Sequence, residues 1–144
     1  MTNPRPRGDA QHCFVCGPEN PHGLHVAFRL ENGVCRGRFI PATYHAGFET
    51  ITHGGIVFSV LDDAMANWFF LQGARGFTAK CDIRYREPLP VGTEIEIEAT
   101  LKLRKRRLIV LTSQARRCDN QHVVAEAEAS FMLDDLGQLE AFEQ

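Results

Sequence analysis

The stretch His53-Gly54-Gly55-Ile56-Val57-Phe58-Ser59-Val60-Leu61-Asp62-Asp63-Ala64-Met65-Ala66-Asn67-Trp68-Phe69-Phe70-Leu71 is the longest apolar run in the chain. At 100° per residue, Ser59, Asp62, Asp63, Ala66 and Asn67 share one narrow sector, and large apolar side chains take the rest of the circumference. A helix greasy on most sides is buried in a core rather than laid on a surface. It is too short and too interrupted by acids to cross a membrane. The rest of the chain is therefore expected to wrap around a central helix over 53–72. Two carboxylates on a wrapped helix are costly unless they reach a cleft or a partner.

Outward from that helix the pattern changes to strands. Before it, Leu24–Leu30 and Val34–Ile40 read as two strands joined at Glu31-Asn32-Gly33, whose Asn-Gly is a hairpin signal. Pro41–Thr52 is a loop leading into the helix. After it, Gln72-Gly73-Ala74-Arg75-Gly76 breaks the helix. Phe77–Arg86 then alternates, with Phe77, Ala79, Cys81, Ile83 and Tyr85 on one face and Thr78, Lys80, Asp82, Arg84 and Arg86 on the other. Further strands are expected at Thr93–Leu103, Leu108–Cys118 and His122–Leu133, joined by tight turns that imply antiparallel neighbours. The expectation is an α+β fold, a curved antiparallel sheet of about five or six strands around one helix.

The 144 residues suit a single domain with a core, and a net charge of −2 gives no support to nucleic-acid binding. Residues 1–11 read as a loose arm, 12–25 as a turn-rich cap, 12–133 as the domain and 134–144 as an acidic tail. The N-terminal residues carry neither a signal-peptide apolar segment nor a lipidation motif. With five cysteines, an odd number, reduced thiols in the cytoplasm are expected.

His53-Gly54-Gly55 followed by Val60-Leu61-Asp62-Asp63-Ala64-Met65 resembles the central-helix signature of hotdog-fold acyl-CoA thioesterases of the PaaI type. Cys13-Phe14-Val15-Cys16-Gly17 with Asn20-Pro21-His22-Gly23-Leu24 looks like the N-terminal signature of one branch of that family. Thr78–Pro90, with Pro88-Leu89-Pro90-Val91-Gly92, is similar to its post-helix strand and turn. The resemblance covers roughly residues 12–133. It implies hydrolysis of an acyl-CoA to a free acid and coenzyme A, without metal or organic cofactor. It also implies a homodimer with active sites at its interface, or a dimer of dimers.

The same resemblance assigns roles. Asp62 is the general base for water, or the nucleophile; a carboxylate in an apolar cleft is poorly solvated and so the better base. Asp63, about 100° round the helix, is then a supporting or salt-bridging group near the substrate. Gly54, and beside it Gly55, lie at the helix start, where free N–H groups and the helix dipole suit a carbonyl oxygen gaining charge. His53 organises that turn. Thr78 matches a hydroxyl residue that relatives contribute from the neighbouring subunit. Relatives carry Asn or Gln before the His-Gly-Gly to position water; Gly47 stands there, with His45 and Glu49 as substitutes. Arg84, Arg86 or the run Lys102–Arg107, Arg106 included, are candidates for the phosphates of coenzyme A.

Other readings are weighed against this one. A hotdog hydratase or dehydratase needs a catalytic histidine, which the His45 loop only faintly echoes. A non-catalytic acyl-CoA-binding domain would bind ligand without turnover. Cys13, Cys16, His22 and His25 supply zinc-type ligands, but with a cramped spacing that favours a packed cap without metal. Phe48, Phe58, Trp68 and Phe69 either line an acyl pocket or belong to the core.

Overall fold

The computed structural model describes residues 8–142. Its centre is helix α1, Gly54–Phe70. Nine of its residues are buried, among them Val60, Leu61, Met65 and Phe69. The helix ends at Gly73, whose φ of +84° turns the chain back so that the Ala74 N–H bonds the Phe69 carbonyl at 3.1 Å.

Eight strands surround it: β1 Arg29–Glu31, β2 Val34–Phe39, β3 Ala46–Phe48, β4 Ile51–Thr52, β5 Arg75–Tyr85, β6 Ile95–Lys105, β7 Leu108–Arg117 and β8 Val123–Asp135. Six form one sheet in the order β1-β2-β6-β7-β8-β5, and β3 and β4 form a separate ribbon before the helix. Every pairing is antiparallel. Asn32 and Gly33, at φ of +51° and +80°, close the β1–β2 hairpin with the left-handed pair that a two-residue turn needs. The sheet's inner face, with Ile95, Ile97, Ile109, Leu111 and Phe131 fully buried, packs on α1. The outer face of β2, β6 and β7 is charged, with Arg36 on Glu98 and Arg116 on Glu96 and Glu98. This is the α+β layout expected from the pattern, with a sheet bent around one helix.

Four local expectations change. The first strand is shorter than Leu24–Leu30, because Leu24 and Val26 donate to the Phe14 and Val15 carbonyls and so bind the cap instead of β2. Leu101 and Leu103, expected on the apolar face of β6, are largely exposed, beyond an irregularity in the β6–β7 register. The phase of β5 shifts too: the register skips between Thr78 and Lys80, so Ala79 is an extra residue. Thr78 therefore lies opposite buried Phe131, on the helix side, while Phe77 lies opposite Met132 on the outer side. Finally, β8 runs on to Asp135, and Leu136 and Leu139 of the expected tail are buried. Residues 1–7 of the expected arm lie outside the described residues; Asp9 pairs with Arg75.

Candidate active site

The N-terminus of α1 opens on solvent through a turn that the sequence builds residue by residue. His53 is the N-cap, and its Nδ1 accepts the Gly55 N–H at 2.8 Å. The Gly55 amide is thus spent inside the turn. Among the described residues the Gly54 N–H has no acceptor, so it is the one left to face a ligand with the positive end of the helix dipole. Tyr85, from the far end of β5, donates its hydroxyl to the Gly54 carbonyl at 2.8 Å and holds the turn against the sheet. A β-carbon on Gly54 would lie 3.3 Å from that hydroxyl, and one on Gly47 would lie 3.2 Å from the His53 Cα, so both glycines permit close packing here.

Beside this turn is a mostly apolar cavity of about 670 Å³, lined by Phe48, Thr52, His53, Gly54, Val57 and Tyr85, among others. Gly47 and Arg86 also border it. Thr52 is 5% exposed, and its Oγ1 has no hydrogen-bond partner. A buried hydroxyl left unpaired is uncommon, and this one belongs to a residue of the cavity wall. A second hollow of about 590 Å³ lies on the outer face of the sheet, among Arg84, Glu98, Glu126 and Glu128. It holds charges of both signs, and of the two hollows only the first touches Gly54.

Asp62 sits two turns further along α1. Its Oδ1 accepts the Thr78 hydroxyl at 2.9 Å. Burial pushes its carboxyl above the ordinary value; Thr78 pulls it down, and the Cys13 sulfur pushes it up. Burial, with Asp62 next in weight, likewise raises the Cys81 thiol to about 11. The outcome is a half-buried carboxyl group, raised by its surroundings, at the open edge of the sheet. Gly54 and Asp62 are eight positions apart, which on an α-helix is about 12 Å along the axis. One carbonyl cannot touch both within a single chain.

The remaining expected residues fall into place around this pair or away from it. Thr78, assigned by resemblance to a neighbouring subunit, reaches Asp62 of its own chain. Asp63 points the other way, to the N-terminal cap, with Asn67 Nδ2 at 3.0 Å and Cys13 Sγ at 3.6 Å. His45 is engaged in its loop: its Nδ1 accepts the Ala42 N–H, its carbonyl accepts the His53 N–H, and its ring packs on Phe39 and Tyr44. It does not line the cavity. Arg84 is on the outer face opposite Glu126. Arg106 is in the β6–β7 turn with φ +57°, next to Arg107, whose N–H group bonds the Leu133 carbonyl. That is the end of the molecule where α1 stops, remote from Gly54 of the same chain. Arg86, ion-paired with Glu126, is the arginine that borders the cavity. Trp68 and Phe69 are core, and Phe48, 69% exposed, lies at the cavity. His25 binds the Asn20 carbonyl and His22 is exposed, so neither joins Cys13 and Cys16. Tyr85 and Thr52 escape a reading of the sequence, since one looks like an ordinary strand residue and the other like the last residue of a loop.

The description of the thioesterase superfamily matches residues 49–128. Human acyl-coenzyme A thioesterase THEM5 is 26% identical over 94 residues, which is 65% of this chain and 38% of that protein. The chain thus spans well under two thirds of that relative's length. A crystallised thioesterase superfamily protein is 26% identical, with a TM-score of 0.78 over 85% of this chain and 63% of the other. The PaaI protein of the Escherichia coli phenylacetic acid degradation operon has a TM-score of 0.70 at 19% identity, covering 76% and 79%.

Proposed function

Because this chain belongs to the thioesterase superfamily and has its hotdog fold, we propose that it hydrolyses acyl-coenzyme A thioesters to a free acid and coenzyme A. The observation that carries the reading is Asp62, a half-buried carboxylate set by Thr78 beside an exposed sheet edge. Asp62 takes a proton from water, or attacks the carbonyl carbon itself. The developing oxyanion is held by a Gly54 N–H at a helix start. The leaving thiolate is coenzyme A. The relationship to an acyl-coenzyme A thioesterase supports this substrate class, and Arg86 beside the cavity is a cation for its phosphates.

The helical rise of about 12 Å from Gly54 to Asp62 supports a site shared by two chains. Strand β5 is the sheet edge and carries exposed Phe77, Thr78, Ala79 and Tyr85. Its two ends hold the two halves of the chemistry, Thr78 on Asp62 and Tyr85 on Gly54. Antiparallel pairing of β5 with β5 of a second copy sets Thr78 across from the partner subunit's Tyr85. Asp62 then meets the partner subunit's Gly54. The active unit is a homodimer, which also covers an edge that would otherwise invite aggregation. Phe77, Met132 and Leu108, adjacent across three strands of the outer face and partly exposed, suit a dimer of dimers. Five free cysteines fit a reducing, cytoplasmic setting, and among the described residues no helix is long and apolar enough to cross a membrane.

The test is release of free thiol from short, medium, long and aryl acyl-CoAs, with the protein's own cysteines subtracted. The parent should turn over at least one of them, and Asp62→Asn should lose at least about a hundredfold. Equal rates would remove Asp62 from the mechanism. Binding without release by the parent would favour a carrier of acyl-CoA.

A further inference from the structure

The cap and the central helix meet at a cluster that hydrolysis does not use. Cys13, Cys16 and Asp63 each offer one ligand atom, and the three atoms lie within 4.8 Å of one another. Two come from the cap and one from α1, fifty residues on. We propose that Cys13, Cys16 and Asp63 bind one zinc ion, which fastens the cap to the helix next to Asp62.

The separations suit that ion. A tetrahedral zinc with Zn–S of about 2.3 Å and Zn–O of about 2.1 Å holds a sulfur and an oxygen ligand about 3.6 Å apart. Cys13 Sγ and Asp63 Oδ1 are 3.6 Å apart. The neighbours already orient the donors. Asn67, one turn along α1 and 1% exposed, donates to the other carboxylate oxygen of Asp63 at 3.0 Å, which turns Oδ1 towards the sulfurs. The same amide lies 3.8 Å from Cys16 Sγ, and the Cys16 N–H points at Cys13 Sγ at 3.5 Å. Amide donors to the outer lone pairs of metal ligands are the usual support of such sites.

The turn that presents the sulfurs is closed by the Gly17 N–H on the Cys13 carbonyl at 2.9 Å, and a β-carbon on Gly17 would lie 2.3 Å from the Cys13 nitrogen. Only glycine fits at the close of this turn. Two thiolates with one carboxylate select zinc over calcium or magnesium. Both sulfurs bind as thiolates, and water takes the fourth corner. The ligand set differs from the Cys13, Cys16, His22, His25 group that spacing alone suggests, because only the fold brings Asp63 to the cysteines.

Cobalt is the probe. Full-length protein, stripped by chelator and kept reduced, is titrated with cobalt(II), then with zinc(II). One equivalent should produce a thiolate-to-cobalt charge-transfer band and tetrahedral visible bands, and zinc should abolish both. Cys13→Ser and Cys16→Ser should lose the charge-transfer intensity, Asp63→Asn should weaken binding at least about tenfold, and His22→Ala/His25→Ala should bind as the parent does. A parent spectrum without charge transfer would overturn the site even where a cysteine variant fails to fold. So would a spectrum that survives Cys16→Ser, or one lost in the double histidine variant. A Cys13–Cys16 disulfide in freshly purified protein, seen as the loss of two hydrogens in intact mass, would replace the metal with a redox pair. None of these readouts depends on turnover, so the zinc site and the hydrolase reading stand or fall separately.

Discussion

Asp62 is raised above an ordinary carboxylate chiefly by burial, and this acts with opposite sign on rate and on stability. As the proposed base it works only when ionised, so kcat/KM should fall as pH drops through its raised value. Removing the Thr78 hydrogen bond removes the influence that lowers it, so Thr78→Val should move the acidic limb of the pH–rate profile to higher pH. Stability runs the other way. A folded-state value above the unfolded one means that the native state binds the proton more tightly in between. The group's contribution is present below the unfolded value and is lost as pH rises through the folded one. Asp62→Asn should therefore be inactive yet melt higher near neutral pH, by about 3 °C if roughly 1 kcal/mol is recovered. Differential scanning calorimetry at two pH values checks both the rise and its disappearance in acid. Thr52 makes a second pair of opposed effects. Its Oγ1 is buried and unpartnered in the cavity wall. Thr52→Val keeps the shape, relieves a desolvated hydroxyl worth about 1–3 kcal/mol, and should raise the melting temperature. If the hydroxyl meets the substrate, steady-state kinetics will show KM rising several-fold at nearly constant kcat. An unchanged KM would leave Thr52 a purely structural residue.

At the scale of elements, α1 depends on how its first turn is capped. His53→Ala would orphan the Gly55 N–H and should cost about 1 kcal/mol in denaturant unfolding, with His53→Asn restoring most of it because asparagine caps equally well. A loss of activity in both, with stability restored only in the asparagine variant, would give the imidazole a role beyond the cap. The helix, the β1–β2 hairpin and the long strands were legible in the sequence because each has a local signal: the buried stripe from Val57 to Phe69, the Asn32-Gly33 turn, and strict alternation in Glu94–Ala99. Thr78 was legible as a residue but not in its direction. Alternation places it outward with Lys80 and Asp82, and only the extra residue Ala79 turns it inward. Nothing in composition marks a single-residue insertion, since Ala fits either face. The same limit hid the fate of Leu24 and Val26, whose N–H groups bond the cap. It also hid Leu136 and Leu139, whose burial depends on where the end of β8 meets Gly73 and Arg104. Asp63 reads as a companion of Asp62 in sequence, yet 100° of helical rotation sends it to Cys13 and Asn67. Contacts between elements distant in sequence, such as Tyr85 on Gly54, carry no local signature at all.

At the scale of the molecule, the proposed division of labour between two chains is open to a direct test, because each half can be removed without the other. Asp62→Asn removes the base. Gly54→Pro removes the amide N–H, and the site tolerates proline in principle: the first helical position needs no N–H bond, and His53 has the φ of −59° and ψ of 133° that precede proline comfortably. The neighbouring Tyr85 hydroxyl, at the end of its side chain, can give way to the ring. Each variant alone should form dimers and release no coenzyme A. In a mixed dimer, one site carries both defects, and the other joins an intact Asp62 to the partner subunit's intact Gly54. Random exchange of equal amounts makes half the dimers mixed, with one working site each, so the mixture should recover about a quarter of the parent activity. If one chain supplied both groups, every mixed dimer would hold two broken sites and nothing would return. Sedimentation of the mixture confirms that dimers form, and circular dichroism of Gly54→Pro alone confirms that its helix survives. Recovery near a quarter would establish that the catalytic site spans two copies joined through β5. Its absence, with dimers present and helices intact, would overturn the shared site, and turnover by Gly54→Pro alone would put Gly54 outside the oxyanion site.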